Sequence, residues 1–220
     1  MEENGKRELQ ITADGSHTLF VPSMGEHYHS VNGAMQESMY VFIDAGLRRV
    51  EKEEIRILEI GFGTGLNAFL TLRERQGKIV YYSAELYPLD AACTDALNYG
   101  EMAWPERKEL FAALHRAPWD RPVEITDGFV LHKIAGDSRS VPLPTAIDLI
   151  YFDAFAPDKQ PEMWTPEVYG KLYASAAPGG VLVTYCAKGE VRRGLQAAGF
   201  RMERLPGPPG KRHMLFGRKD

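Results

Sequence analysis

Four acidic residues in this chain, Glu59, Glu85, Asp137 and Asp153, each stand at or just past the end of an apolar run. The first run, Ile55 to Ile60, reads as a buried parallel strand. It carries Glu59 into Gly61-Phe62-Gly63-Thr64-Gly65, and Leu66 and Asn67 open a helix-like segment. Glycines let the chain turn sharply and let a ligand approach the backbone. The helix that starts there points free N–H groups at an anion. Strand, glycine turn and helix in this order open a nucleotide-binding α/β fold. A plain turn with no ligand is the alternative, but it would not need three glycines and their entropic cost.

The spacing narrows the ligand. Leu66 stands where the third glycine of a dinucleotide fingerprint would be. The pattern E-x-G-x-G-x-G, from Glu59 to Gly65, instead resembles the first motif of class I S-adenosylmethionine-dependent methyltransferases. That resemblance implies that Gly61, Gly63, Gly65 and Asn67 wrap the methionine part of the cofactor, with Glu59 helping to hold its amino group. Glu85 ends the second strand, Ile79 to Glu85, 24 positions after Gly61. An acid about 20 residues past the loop is placed for ribose hydroxyls, and a carboxylate has two acceptor oxygens for a vicinal diol. A solvated strand-end carboxylate is the plainer alternative. Asp137 follows the strand Phe129–Ile134, where class I methyltransferases often bind the adenine amino group. A turn or cap aspartate is the other reading.

Asp153 ends the strand Ile147–Asp153, and ligands sit at the carboxyl ends of central parallel strands. Methyl transfer from a sulfonium is an in-line displacement, with the acceptor about 3–3.5 Å from the methyl. A primary amine is mostly protonated near neutral pH. A carboxylate at this strand end can orient amine N–H groups and accept a proton. Phe155, two residues on, can stack on a base, and anchoring the loop in the core is its alternative role.

These residues need a frame. Leu9–Thr12 and Thr18–Val21 alternate about Asp14-Gly15 as a hairpin. A polar, aromatic loop follows from Gly25 to Ser30. Apolar residues at helical spacing predict a helix over 34–50, and another is expected to start near Pro88. Residues 100–128 read as an insertion, with a helix over Pro105–His115 and a hairpin about Asp127-Gly128. A helix is expected over Trp164–Ala174, ended by Gly179-Gly180 before the strand Val181–Tyr185. A last helix, Glu190–Ala198, stops at Gly199. Arg201–Leu205 and His213–Phe216 are expected to close the sheet as an antiparallel pair. The fold class is α/β: a Rossmann-like class I methyltransferase sheet with helices on both faces. It forms a single domain over 1–220, with residues 8–33 as an N-terminal hairpin and lid.

Composition fits. A chain of 220 residues with 44% apolar content can bury one real core. Cys93 and Cys186 give no disulfide framework and no metal-ligand cluster, so no metal site is expected. Met1–Arg7 has no signal-peptide core, and no run is long enough to span a membrane, so a cytoplasmic location is expected. The net charge of −4 argues against a large nucleic-acid surface but leaves room for local basic patches.

A wider set of residues carries a more specific resemblance. It comprises Tyr28-His29-Ser30, Gly33-Ala34 with Glu37-Ser38, the glycine loop, Glu85-Leu86-Tyr87-Pro88-Leu89, Asp153-Ala154-Phe155-Ala156-Pro157, Ala187-Lys188-Gly189 and Pro206-Gly207 with Lys211-Arg212. From about Thr12 onward the chain resembles the methyltransferase family of tRNA wobble-uridine modification, found as the amino-terminal domain of bifunctional MnmC enzymes and as stand-alone MnmD. The resemblance implies methylation of the aminomethyl nitrogen of 5-aminomethyl-2-thiouridine in tRNA, with a separate enzyme supplying that amine. It places Glu37 and Tyr28 at a lid over the cofactor or amine pocket. Lys159, Lys188, Arg192, Arg193, Lys211, Arg212, Arg218 and Lys219 are then expected to form a basic rim for phosphates. Two other readings stay open. One is a transferase acting on a small-molecule amine, such as an aminopropyltransferase. The other is a binding module that kept the fold without the chemistry.

Overall fold

The computed structural model describes residues 6–220, so the first five residues of the polar Met1–Arg7 segment lie outside it. The frame is an eight-stranded sheet. Its strands are β4 (Glu54–Ile60), β5 (Lys78–Glu85), β6 (Pro122–Thr126), β7 (Phe129–Ala135), β8 (Ile147–Phe152), β9 (Ala176–Thr184), β10 (Arg201–Pro206) and β11 (His213–Arg218). Their order is β10-β11-β9-β8-β4-β5-β7-β6. The five central strands run parallel, while β6, β10 and β11 are antiparallel. The expected C-terminal strand pair is present.

The central strands are apolar on both faces because both are covered, as parallel sheets require. The pleat sorts their side chains by turns. Ile57, Tyr81, Leu149, Tyr151 and Val183 pack on one side with Phe42 and Phe69. Leu58, Ile60, Ile150, Phe152 and Leu182 pack on the other with Trp164, Leu172 and Leu195. The first side is covered by α1 (Ala34–Ser38), α2 (Leu66–Glu74), α4 (Tyr99–Ala103) and α5 (Glu109–Arg116). The second is covered by α6 (Pro166–Ser175) and α7 (Gly189–Ala198).

A small antiparallel sheet, β1 (Glu8–Ile11), β2 (His17–Val21) and β3 (Glu26–His27), precedes the large one. The expected hairpin is its first two strands, and β3 adds order to the loop read as irregular. Asp14 at the hairpin turn accepts hydrogen bonds from Ser16 N (3.0 Å) and from Gln36 N (3.0 Å). One side chain thus fixes the turn and caps α1, which carries Glu37.

Four expectations need correction. The helix over 34–50 is not continuous. It widens into π-helical turns over Met39–Asp44 and ends in a 3-10 turn, Leu47–Arg49. Gly46 lies against the sheet there, where an added Cβ would stand 3.1 Å from Val183 and 3.2 Å from Tyr151. The helix expected near Pro88 begins at Ala91 as α3 (Ala91–Asp95), because Asp90 caps it by accepting from Cys93 N at 2.8 Å. The helix over Pro105–His115 divides into a 3-10 turn, Pro105–Arg107, and α5. Gly179-Gly180 does not end a helix. It lies inside β9, where the β8–β9 register shifts and Gly180 packs with no room for a side chain against Ile147 O. No helix of the described residues is long and apolar enough to cross a membrane.

Candidate active site

The strand order reverses between β4 and β8, and a cavity of about 520 Å³ opens at their carboxyl ends. Gly61, Gly63 and Gly65 follow β4 with φ of +92°, +47° and +72°, a region that side chains avoid. Space also demands glycine. A Cβ at Gly61 would stand 3.0 Å from Asp153 O, and one at Gly63 3.1 Å from the Tyr28 ring. The loop is propped from behind. His115 of α5 meets Thr64 O through Nε2 at 3.0 Å, and His29 Nε2 meets Thr64 Oγ1 at 2.7 Å. Lys133 of β7, almost fully buried, donates to His115 O at 2.7 Å and lies 5.2 Å from the Phe62 ring centre. The segment read as an insertion therefore supports the glycine loop.

Glu85 accepts from Gly63 N (3.0 Å) and Tyr87 N (2.7 Å), one bond on each oxygen. An ionised carboxylate keeps further lone pairs for a diol. Asp137 lines the same cavity but is engaged by Arg139, whose guanidinium holds both its oxygens at 2.6–2.9 Å. That hydrogen bonding keeps its carboxyl below the usual aspartate range.

Asp153 faces the cavity just past β8. Asn67, in the first turn of α2, donates its Nδ2 to Asp153 Oδ2 at 2.8 Å. Burial pushes the Asp153 carboxyl up to about 7. The Asn67 bond and nearby Lys211 oppose that rise, and Glu37 adds to it. The backbone beyond is clamped. Phe155 N donates to Gln160 Oε1 at 3.1 Å, and Trp164 Nε1 donates to Phe155 O at 2.7 Å. The Phe155 ring meets Tyr28 edge to face, centroids 5.1 Å apart. Both rings line the cavity, with Tyr28 held by Arg7 Nε at 3.2 Å.

Glu37 reaches the cavity from α1. Its Oε2 accepts from Ser30 N at 2.9 Å and its Oε1 pairs with Lys211. Lys211 also lies 3.9 Å from the centre of the Tyr185 ring, whose hydroxyl donates to Ala154 O at 2.8 Å.

The structure thus gathers Tyr28, Glu37, Gly61, Gly63, Asn67, Glu85, Asp137, Asp153 and Phe155 around one cavity. Gly65 caps α2 behind it, against His115 and Phe62. Glu59 is not at the wall. It is fully buried beneath α2, bonded to Ser83 Oγ at 2.7 Å. The pleat sends it to the same face as Ile57, away from the opening. Several residues of the expected basic rim are engaged within the fold. Lys211 points into the cavity, Lys188 pairs with Asp158 at 2.6 Å, and Lys159 donates to Met24 O at 2.9 Å. Lys219 bonds Tyr173 O and Ala176 O, both at 2.8 Å. Sequence reasoning missed Tyr185, Arg139 and the cavity-facing role of Lys211. The pairing of a lone cation with Glu37 leaves no local spacing signal.

A doubly wound, mostly parallel sheet with a glycine loop and strand-end acids at its switch point defines a nucleotide-cofactor-binding α/β protein. The chain belongs to the S-adenosyl-L-methionine-dependent methyltransferases, whose family model matches residues 104–220. It is 34% identical to the tRNA 5-methylaminomethyl-2-thiouridine biosynthesis bifunctional protein MnmC of Azoarcus sp. strain BH72, over 96% of this chain and 35% of that protein. It thus spans about a third of the length of the curated relatives it matches. The crystal structure of MnmC2 from Aquifex aeolicus superposes with a TM-score of 0.77 at 27% identity, covering 98% of this chain and 71% of that one. Spermidine synthase from Thermotoga maritima shares the fold at a TM-score of 0.53 and 12% identity, covering 100% and 81%.

The cavity fits the cofactor on its own geometry. Gly61 and Gly63 bring bare backbone to the cavity wall, Glu85 keeps acceptor capacity for a diol, and the volume lies in the range of small-ligand sites.

Proposed function

We propose that the protein methylates the aminomethyl nitrogen of 5-aminomethyl-2-thiouridine at the wobble position of tRNA. The observation that carries this reading is Asp153, held by Asn67 and raised by burial to about 7, beside the Phe155–Tyr28 aromatic pair. An amine acceptor on a nucleobase needs a proton acceptor and a stacking surface side by side, and this wall offers both. The names of the MnmC relatives, which match nearly all of this chain over about a third of their own length, support the substrate.

In this reading the glycine loop and Asn67 would hold the methionine part of the cofactor. Glu85 takes the ribose hydroxyls. Asp137 takes the adenine amino group, sharing its oxygens with Arg139. The cofactor supplies an electrophilic methyl on a sulfonium. Asp153 would orient the substrate amine through its N–H groups and take the proton that the nitrogen loses on methylation. Phe155 stacks on the uracil ring, and Tyr28 and Glu37 close the lid. The protein works in the cytoplasm, on an amine made by a separate enzyme. Exposed Arg193 and Arg212 remain candidates for phosphate contacts.

The test is transfer of label from S-adenosylmethionine to tRNA of cells lacking the modification, followed by digestion to nucleosides. The expected product is a labelled methylaminomethyl nucleoside. Label in a polyamine or another small amine, with none in tRNA, would overturn the reading.

A further inference from the structure

Lys133 is 1% exposed and sits on the same side of the sheet as Phe129 and Leu131, in an otherwise apolar layer. Its Nζ donates to His115 O at 2.7 Å. That carbonyl lies in the last turn of α5, where carbonyls lack partners within the helix and the helix dipole is negative. The ammonium also stands 4.6 Å from the centre of the Trp119 ring and 5.2 Å from that of Phe62, both within cation–π reach. Among the described residues no carboxylate pairs with it, and burial alone moves its pKa, down to about 8. A methionine would fill this space without the cost of burying a charge.

The cage leads to the cofactor. Phe62 stands between Gly61 and Gly63, and its buried ring turns back from the loop. There it meets His115 and Trp119 edge to face, with centroids 5.3 Å and 6.0 Å away. His115 Nε2 in turn meets Thr64 O at 3.0 Å. One ammonium therefore braces residues 62 and 64. Between them is Gly63, whose N–H donates to Glu85 at 3.0 Å.

We propose that Lys133 is a positioning residue of the cofactor site: its charge, held between the end of α5 and two ring faces, fixes Phe62 and Thr64 and so sets the affinity for the cofactor. Lys133 itself does not line the cavity. A neutral amine would keep a bond to His115 O but lose the attraction of the rings, so cofactor affinity should fall as Lys133 deprotonates. Other ionisable groups near it are engaged elsewhere. His115, lowered by burial to about 4, stays uncharged from pH 6.5 upward. Glu59 lies two strands away, with Ser83 in register between them and bonded to it at 2.7 Å. Asp120 gives its backbone N–H to Lys133 O, and its carboxylate accepts from Ala135 N. Asp95 of α3 acts on His115.

Binding of S-adenosylhomocysteine, the demethylated cofactor, needs no methyl acceptor, so its outcome is independent of the tRNA reading. Calorimetry should give its Kd for the parent and for Lys133→Met from pH 6.5 to pH 9.5. At pH 6.5 the variant should bind about 3- to 30-fold more weakly. That ratio should shrink as pH passes 8, because the parent then loses its charge as well. Titration of the ligand and of groups common to both proteins cancels in the ratio. A ratio constant with pH would reduce Lys133 to packing, and a ratio of one throughout would separate it from the cofactor; either result overturns the proposal. If Lys133→Met does not fold, the parent decides alone. By linkage, S-adenosylhomocysteine must raise the titration midpoint of the Lys133 Cε resonance in carbon-13 lysine spectra, and an unmoved midpoint overturns the proposal.

Discussion

Glu37 and Lys211, 174 positions apart, meet as an ion pair across the cavity and join the first helix to the loop before the last strand. They act on Asp153 in opposite senses, the carboxylate raising its pKa and the ammonium lowering it. Lys211→Met should therefore move the acid limb of the kcat profile to higher pH, and Glu37→Gln to lower pH. Lys211→Met also leaves Glu37 unpaired. The cost should be about 1–2 kcal/mol, below that of a fully buried pair because the Lys211 side chain stays 31% exposed. Profiles that move together, or not at all, would refute the opposed roles.

Asp153→Asn tests the acceptor itself. Loss of general-base and orienting capacity should lower kcat by about 10²–10⁴, with the Kd for S-adenosylmethionine within a few-fold of the parent. Stability should move the other way. Burial raises the folded pKa to about 7 from 3.8, so the folded state holds its proton more tightly than the unfolded one. That contribution is present in full below the unfolded pKa and is lost as pH rises through 7. The Asn variant should thus melt higher than the parent at pH 8 and no higher at pH 4. Equal melting temperatures at pH 8 would count against a buried, raised Asp153.

Phe155→Leu separates stacking from loop anchoring. The backbone of Phe155 is pinned at both N–H and C=O by Gln160 and Trp164, so the loop should keep its path. Base–aromatic stacking is worth about 1–3 kcal/mol, so KM for the RNA should rise about 5- to 150-fold. A change confined to thermal stability would assign the ring to packing instead.

Much of this was open to reading because local rules governed it. The runs ending in Glu59, Glu85 and Asp153 are short, apolar and bounded by glycine or acid, as doubly covered parallel strands must be. Gly61 and Gly63 had to be glycine because their dihedrals and neighbours exclude a side chain. What escaped was set by tertiary contact. Residues 34–50 carry a helical period, yet packing against the sheet widens the turns. Lys211 looks like one more solvated cation beside Arg212 until the last hairpin brings it to Glu37. The departure of Glu59 from the cavity was legible in principle. It shares the face of Ile57 by period two, and that face is roofed by α2. The polar residues Glu59, Asn67 and Ser83 on an otherwise apolar layer were the signal.

His29 ties the N-terminal sheet to the glycine loop and should set the acid limit of the fold. Its Nε2 bonds Thr64 Oγ1 at 2.7 Å, and its backbone N–H donates to Thr18 Oγ1 at 3.1 Å. Burial lowers its pKa from 6.5 to about 4. The unfolded chain therefore binds a proton that the folded one refuses between those values. The stability this represents is present above pH 6.5 and is lost as pH falls toward 4. By the usual conversion of pKa shift to energy the loss is about 3 kcal/mol at most. His29→Gln keeps a polar atom near Thr64 and cannot take up that proton. Urea unfolding of the parent should weaken from pH 7 to pH 4.5 by about 2–3 kcal/mol more than that of the variant. Parallel curves would show that His29 binds its proton equally in the folded and unfolded states, and the acid sensitivity would have to lie in other groups.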